Sequence, residues 1–209
     1  MAIKKSNKLV PDNDICIKGS VQLSSDKSLS IRSVLFASIA YGISHIKINN
    51  PGEDALTSIM AIKKLGIKVT QSDNQYTIYG LGIGYPSLKK RLLINCRNSG
   101  TTLRLLTPLI AGSKVNAKII GDHSLSKRPY RLEFLKEFLM NVKPTKKKFL
   151  PLMINGHTSC VKAEIKINKP SAQMVSAATL AGISSFGETV IECPNNVRDH
   201  TSRMLKYLG

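Results

Sequence analysis

Five short clusters along this chain place cations, hydroxyls and amides where helices begin. The first is Ser25-Asp26-Lys27-Ser28-Leu29-Ser30-Ile31-Arg32. Lys27 stands at the mouth of the helix with Ser28 beside it, and Arg32 follows one turn further along a related face. A lysine supplies a point charge and an arginine a planar fork, a pair suited to a phosphate and a neighbouring carboxylate. The second cluster, Asn98-Ser99-Gly100-Thr101-Thr102-Leu103-Arg104, joins hydroxyls that cap or bind to a glycine that lets a ligand approach the backbone. In the third, Asp122-His123-Ser124-Leu125-Ser126-Lys127-Arg128-Pro129, Arg128 precedes a φ-locked proline and so makes a fixed anion clamp. Pro170-Ser171-Ala172-Gln173 brings a hydroxyl and an amide to another helix start, and Arg198-Asp199-His200-Thr201 opens the last helix. Taken singly, each cluster also reads as an ordinary cap, turn or exposed basic loop.

A repeat explains how such clusters could meet. Small-residue helices close on glycine at Ile39-Ala40-Tyr41-Gly42, Ile110-Ala111-Gly112 and Leu180-Ala181-Gly182, spaced by 70 residues along a chain of 209. Three copies of one unit account for that spacing and argue for one compact body. Each helix start presents unpaired N–H groups and a positive dipole end, so three brought together make an anion site.

Within the first unit, Ser44 to Ile48 alternates as a half-buried strand and Asn49-Asn50-Pro51-Gly52 turns the chain. A second helix follows, with Leu56, Ile59, Met60 and Leu65 on one stripe and Gly66 as its terminator. In the second unit the strand is Ala117 to Gly121, and a helix turns Leu132, Leu135, Phe138 and Leu139 one way. The third unit places a strand at Thr189 to Cys193 and a helix from Thr201 to Leu208. Strand pairs are expected between 67–70 and 76–79 and between 150–154 and 161–167, with 143–148 as an exposed turn. Ser33, Ala37, Ser38, Ala40, Ser176, Ala177 and Ala178 suit helices packed closely at the centre of β-α-β-α-β-β units.

Lys and Arg number 31 against 13 Asp and Glu, and the net charge of +18 points to anionic partners. Aromatic residues are 5% of the chain and Trp is absent, so few platforms exist for stacking on bases. A basic nucleic-acid-binding module is nonetheless the alternative from another class, and it would bind with a steep salt dependence. Cys16, Cys96, Cys160 and Cys193 are scattered, with no paired spacing and no His at ligand distance, which favours free thiols over a zinc or redox site. The four histidines are equally dispersed and pair with no nucleophile. No apolar run is long enough to span a membrane and the N-terminus lacks a signal-peptide core, so a cytoplasmic location is expected.

Lys27 to Arg32 resembles the K-S-x-S-x-R motif of the 5-enolpyruvylshikimate-3-phosphate synthases, the carboxyvinyltransferases of the shikimate pathway. Asn98 to Arg104 is similar to the N-[SA]-G-T-x-x-R loop of that family, and Ser124 to Pro129 to its S-L-x-x-R-P segment. Ser171-Ala172-Gln173 and Arg198-Asp199-His200-Thr201 resemble its S-A-Q and R-D-H-T stretches. The likeness runs over essentially the whole chain.

The resemblance implies an α/β (α+β) fold: one lobe of the inside-out enolpyruvyltransferase architecture, three β-α-β-α-β-β repeats with central helices. Residues 20–209 would form a first complete lobe, whereas 1–19, with a strand near Ile15 to Ile17, would belong with a second lobe absent here. It also implies transfer of the enolpyruvyl group of phosphoenolpyruvate to the 5-hydroxyl of shikimate 3-phosphate through a tetrahedral adduct, with release of phosphate and no cofactor or metal. Lys27 would touch both substrates as the catalytic cation. Ser28, Arg32, Ser171, Ala172, Gln173 and Arg198 would hold shikimate 3-phosphate, while Asn98, Gly100, Arg128 and Gln173 would line the phosphoenolpyruvate pocket. The acid/base carboxylates of the family come from the second lobe, so this half is expected to be inactive alone and the full-length protein to be monomeric, with no nucleic-acid or membrane partner.

Some positions depart from the family pattern. Ser24-Ser25 replaces Pro-Gly before the lysine, Ile31 stands where a polar residue is common, Leu105 where some members have proline, and Ser202 where R-D-H-T-E members have glutamate. Gly100, at which glyphosate sensitivity is set in the family, is retained and implies a sensitive full-length version. The UDP-N-acetylglucosamine carboxyvinyltransferases share the fold but lack K-S-x-S-x-R and carry a reactive cysteine before the R-P segment. No cysteine stands between Gly112 and Arg128.

Overall fold

A computed structural model of the chain describes residues 20, 23–88 and 90–208. The expected strand near Ile15 to Ile17 lies outside them. α1 (Lys27–Ile39) has no wet face beyond its first turn: from Ser30 to Ile39 every residue except Ser33 is buried. α3 (Gly100–Ala111) buries every residue except Thr101. Helices apolar or small all round belong in an interior. α3 packs against both α1 and α5 (Ala172–Ile183), where Ser176, Ala177, Ala178 and Ala181 allow close approach. α2 (Glu53–Lys64) and α6 (His200–Leu208) are two-faced helices that pack on α1, and α6 also touches α5.

Three sheets lie against these helices. The first is antiparallel, with β1 (Tyr41–Lys47), β2 (Lys68–Ser72) and β3 (Gln75–Leu81) in the order β1-β3-β2. In the second, β4 (Leu92–Asn95), β5 (Asn116–Ile120), β6 (Asn141–Lys146) and β7 (Phe149–Asn155) run β4-β5-β7-β6. In the third, β8 (Glu164–Lys166) lies parallel to β9 (Val190–Glu192). β4 is likewise parallel to β5. A parallel pair needs a long crossover, and α3 and α5 supply it. Gly80 in β3 meets the end of α1 so closely that a Cβ there would run into the carbonyl oxygens of Ala37 and Ala40. That contact seats the first sheet on the central helix.

The structure changes several local expectations. Only the end of 143–148 is a turn: β6 runs through Pro144 to Lys146 and pairs with β7, and the chain turns at Lys147 and Lys148. β6 is an edge strand, where the missing N–H of proline is tolerated. β7 therefore takes β6 and β5 as neighbours, and the 161–167 segment pairs with β9 instead. The expected helix after Leu132 is a 3-10 helix, Glu133–Phe138. Its period of three aligns Leu132, Leu135 and Phe138 inward and leaves Leu139, at φ 60° in the cap, exposed. Met60 is also turned outward, against Arg97. Ser33 and Ala40 are only half-buried and line an apolar groove of about 640 Å³ between α1, β1 and α6.

The units are not of equal extent. The second comprises β4, α3, β5, the one-turn α4 (His123–Ser126), the 3-10 helix, β6 and β7, whereas the third contributes β8, α5, β9 and α6 among the described residues, without a closing strand pair. Cys96, Cys160 and Cys193 are free thiols, the first two buried and the last exposed. Burial pushes the Cys96 thiol up to about 12, and that of Cys160 upward too.

Candidate functional site

The starts of α1 and α5 and the segment entering α6 converge on a cleft of about 380 Å³. Lys27, Ser28, Arg32, Ser171, Ala172, Gln173 and Arg198 all line it. The sequence places these seven on shikimate 3-phosphate, and the fold brings them together across 171 positions of chain.

Arg32 shapes the cleft from behind. It is 2% exposed, and its Nε donates to Thr201 Oγ1 at 2.8 Å and its Nη2 to Ser176 Oγ at 2.9 Å. Nη1 donates to Ser28 Oγ at 2.5 Å and to the Ser28 carbonyl oxygen at 3.2 Å. Thr201 Oγ1 donates in turn to Ser176 Oγ at 2.7 Å, and Ser176 Oγ to the Ala172 carbonyl at 2.6 Å. One guanidinium thus ties together the three segments that form the cleft. Burial lowers its pKa below the ordinary arginine value, and the Asp26 carboxylate opposes that shift. The sequence presents Arg32 as an open anion fork; the structure directs most of its donors onto protein oxygens.

Lys27 is the exposed cation at the rim. Its Nζ lies 3.5 Å from Asp54 Oδ2 in the first turn of α2. Arg198 also lines the cleft and is exposed.

The helix starts differ from one another. Asp26 Oδ1 caps α1 by accepting from Leu29 N at 2.8 Å, and Ser99 Oγ caps α3 by accepting from Thr102 N at 3.3 Å. Ser171 makes no side-chain cap bond to α5, and Ser171, Ala172 and Gln173 line the cleft, while the Met174 N–H is taken by the Ser171 carbonyl. Of these three starts, α5 is the one without a side-chain cap, a feature suited to an anion.

Asn98, Gly100 and Arg128 lie beside the cleft, at the start of α3 and on the neighbouring loop, and do not line it. Asn98 and Arg128 are exposed, and Arg128 Nη2 donates to Ser124 Oγ at 3.0 Å. Arg104 connects this region to the cleft. It is 8% exposed, and its Nη1 donates to the Gly100 carbonyl at 3.1 Å and to Gln173 Oε1 at 2.9 Å. Its Nη2 donates to the Pro129 carbonyl at 3.0 Å. Gln173 Nε2 donates to Thr101 Oγ1 at 2.9 Å. Burial first, then the charges of Arg131 and Arg128, lower the pKa of Arg104.

Sequence reasoning did not single out Thr201, Ser176, Arg104, Thr101 or Asp54. Thr201 and Arg104 close motifs already recognised, but nothing in a motif reveals that Arg32 and Gln173 are their partners. Among the described residues no cluster of His, Cys, Asp and Glu is arranged to hold a metal ion, and no helix is long and apolar enough to cross a membrane.

A helix-centred α/β lobe with an anion-suited cleft at converging helix starts is the class defined by this fold and site. The family model for EPSP synthase (3-phosphoshikimate 1-carboxyvinyltransferase) matches residues 13–209. The chain is 39% identical over 198 residues to the 3-phosphoshikimate 1-carboxyvinyltransferase of Thermodesulfovibrio yellowstonii, covering 92% of this chain and 45% of that one. It is 36% identical over 197 residues to the Bacillus subtilis protein of the same name, with coverage of 92% and 45%. An EPSP synthase structure from Acinetobacter baumannii superposes with a TM-score of 0.81 at 34% identity, covering 90% of this chain and 43% of that one. The chain belongs to the EPSP synthase family. It spans about half the length of the curated relatives it matches.

Proposed function

We propose that this chain is the N-terminal, substrate-holding half of a transferase that moves the enolpyruvyl group of phosphoenolpyruvate to the 5-hydroxyl of shikimate 3-phosphate. The observation that carries the reading is the convergence of Lys27, Ser28, Ser171, Gln173 and Arg198 on one cleft, with the uncapped start of α5 in its wall. The Ser171 hydroxyl and the first-turn N–H groups of α5 suit the phosphate of shikimate 3-phosphate, and Arg198 reinforces them. Lys27, at the rim, reaches both anions and reduces their mutual repulsion as the 5-hydroxyl oxygen bonds to the enolpyruvyl carbon. Asn98, Gly100 and Arg128 border the phosphoenolpyruvate side, and Gln173 lies between the two groups. The tetrahedral adduct then expels phosphate.

The acid/base groups of this reaction belong to the portion of the relatives that the chain does not span. The half presented here binds shikimate 3-phosphate weakly and does not turn over. Joined to its second lobe it acts as a cytoplasmic monomer. Titration calorimetry with shikimate 3-phosphate on the wild-type chain and on Lys27→Ala tests the reading: the variant should lose most of the binding heat, and equal heats would overturn it.

A further inference from the structure

Among the described residues, Arg104 holds a buried charge without an acidic partner. Its three acceptors, the Gly100 and Pro129 carbonyls and Gln173 Oε1, are neutral, and two further arginines, Arg128 and Arg131, lie close enough to disfavour its charge. Burying a guanidinium in that setting is costly, so its hydrogen bonds have to be well formed. They also do something specific to Gln173. An amide can be turned either way, but an acceptor bond from Arg104 to Oε1 leaves Nε2 toward Thr101, where it donates at 2.9 Å. Gly100 belongs to the same device: a Cβ built there would come within 2.8 Å of Arg104 Nη1.

We infer that Arg104 is a positioning residue that sets the orientation of the Gln173 amide in the cleft and joins it to the Arg128-Pro129 loop, and that position 100 is glycine because Arg104 occupies the space beside it. The inference rests on the transferase reading for its role in substrate binding. Its structural part stands on the hydrogen bonds alone. A side chain at position 100 therefore acts on the cleft indirectly, by pushing the Arg104 guanidinium off Gln173 Oε1.

The test uses the 15N-labelled full chain without ligand, read at the Gln173 side-chain amide, alongside calorimetry with shikimate 3-phosphate. Arg104→Met should move the Gln173 Nε2 resonances to the position of a free glutamine and weaken binding about tenfold or more, while the other side-chain amides stay in place. In a Gln173→Ala background the same change should cost less than about twofold. Gly100→Ala, which keeps the arginine, should shift the Gln173 resonances in the wild-type chain and leave them unmoved once Arg104 is methionine. It keeps the test open if Arg104→Met fails to fold. Unmoved Gln173 resonances in Gly100→Ala and Arg104→Met, or an undiminished loss of affinity in Gln173→Ala, would overturn the inference. If the wild-type chain gives no binding heat, the transferase reading fails, whereas the ligand-free resonances still decide the role of Arg104.

Discussion

Arg32 on α1 donates its Nε hydrogen to Thr201 Oγ1 at 2.8 Å, joining two residues 169 positions apart in a buried contact. Thr201 hands the interaction on to Ser176, so the first helix, the fifth and the sixth are pinned where the cleft forms. Stability and site geometry therefore share one network.

Removing the threonine hydroxyl should be costly. Thr201→Val keeps the shape but leaves a buried guanidinium N–H without its acceptor, an expected loss of about 1–3 kcal/mol. Thr201→Ser keeps the hydroxyl and should cost less than half as much. Urea denaturation of both variants checks the ordering, and equal losses would mean that packing rather than the Arg32 bond dominates.

Cys96 offers a pH test. Burial raises its thiol from 9.0 to about 12, so the folded chain keeps a proton that the unfolded chain releases above pH 9. The contribution is intact below pH 9 and is lost as pH rises toward 12, at about 1.4 kcal/mol per unit. Between pH 8 and pH 10 the wild type should lose about 1 kcal/mol more than Cys96→Ala. Parallel pH dependences in the two proteins would refute the assignment. At pH 8 a thiol reagent should modify exposed Cys193 and spare Cys96 and Cys160, measured with Cys16 replaced by serine.

Asp54 competes for the cation at the rim. Its carboxylate sits 3.5 Å from Lys27 Nζ and adds a negative charge beside the cleft proposed to hold anions. Asp54→Asn should tighten shikimate 3-phosphate binding by up to about fivefold, the range expected of an exposed ion pair. The gain should shrink as salt is raised. Unchanged or weaker calorimetric affinity would show that Asp54 does not restrain Lys27.

The 70-residue spacing, the central small-residue helices and the five clusters are legible in the order of residues, because helix starts and close-packed helices impose their requirements locally. Seven of the residues assigned to shikimate 3-phosphate do line one cleft. The three helix starts look equivalent in the sequence, yet two are capped by Asp26 and Ser99 and the third has no side-chain cap. Serine at a cap position allows either outcome, and only the backbone around Ser171 decides which. Misjudged strands have the same kind of cause: Lys143 to Lys146 carries the composition of a turn, and joins β6 because an edge beside β7 is available.

The sequence by itself determined the family, the repeat and the residues that meet at the cleft, since each rests on a local pattern of charge, hydroxyl and small side chains. The tertiary structure alone decided which of those residues remain free to meet a ligand. Arg32 reads as an anion fork and Arg128 as an anion clamp, yet long-range acceptors at Thr201 and Ser176 engage Arg32, Gln173 and Pro129 engage Arg104, and Arg128 and Arg198 stay at the surface. A guanidinium buried among protein oxygens must bond to them, and no pattern of neighbours along the chain can say which oxygens folding will bring.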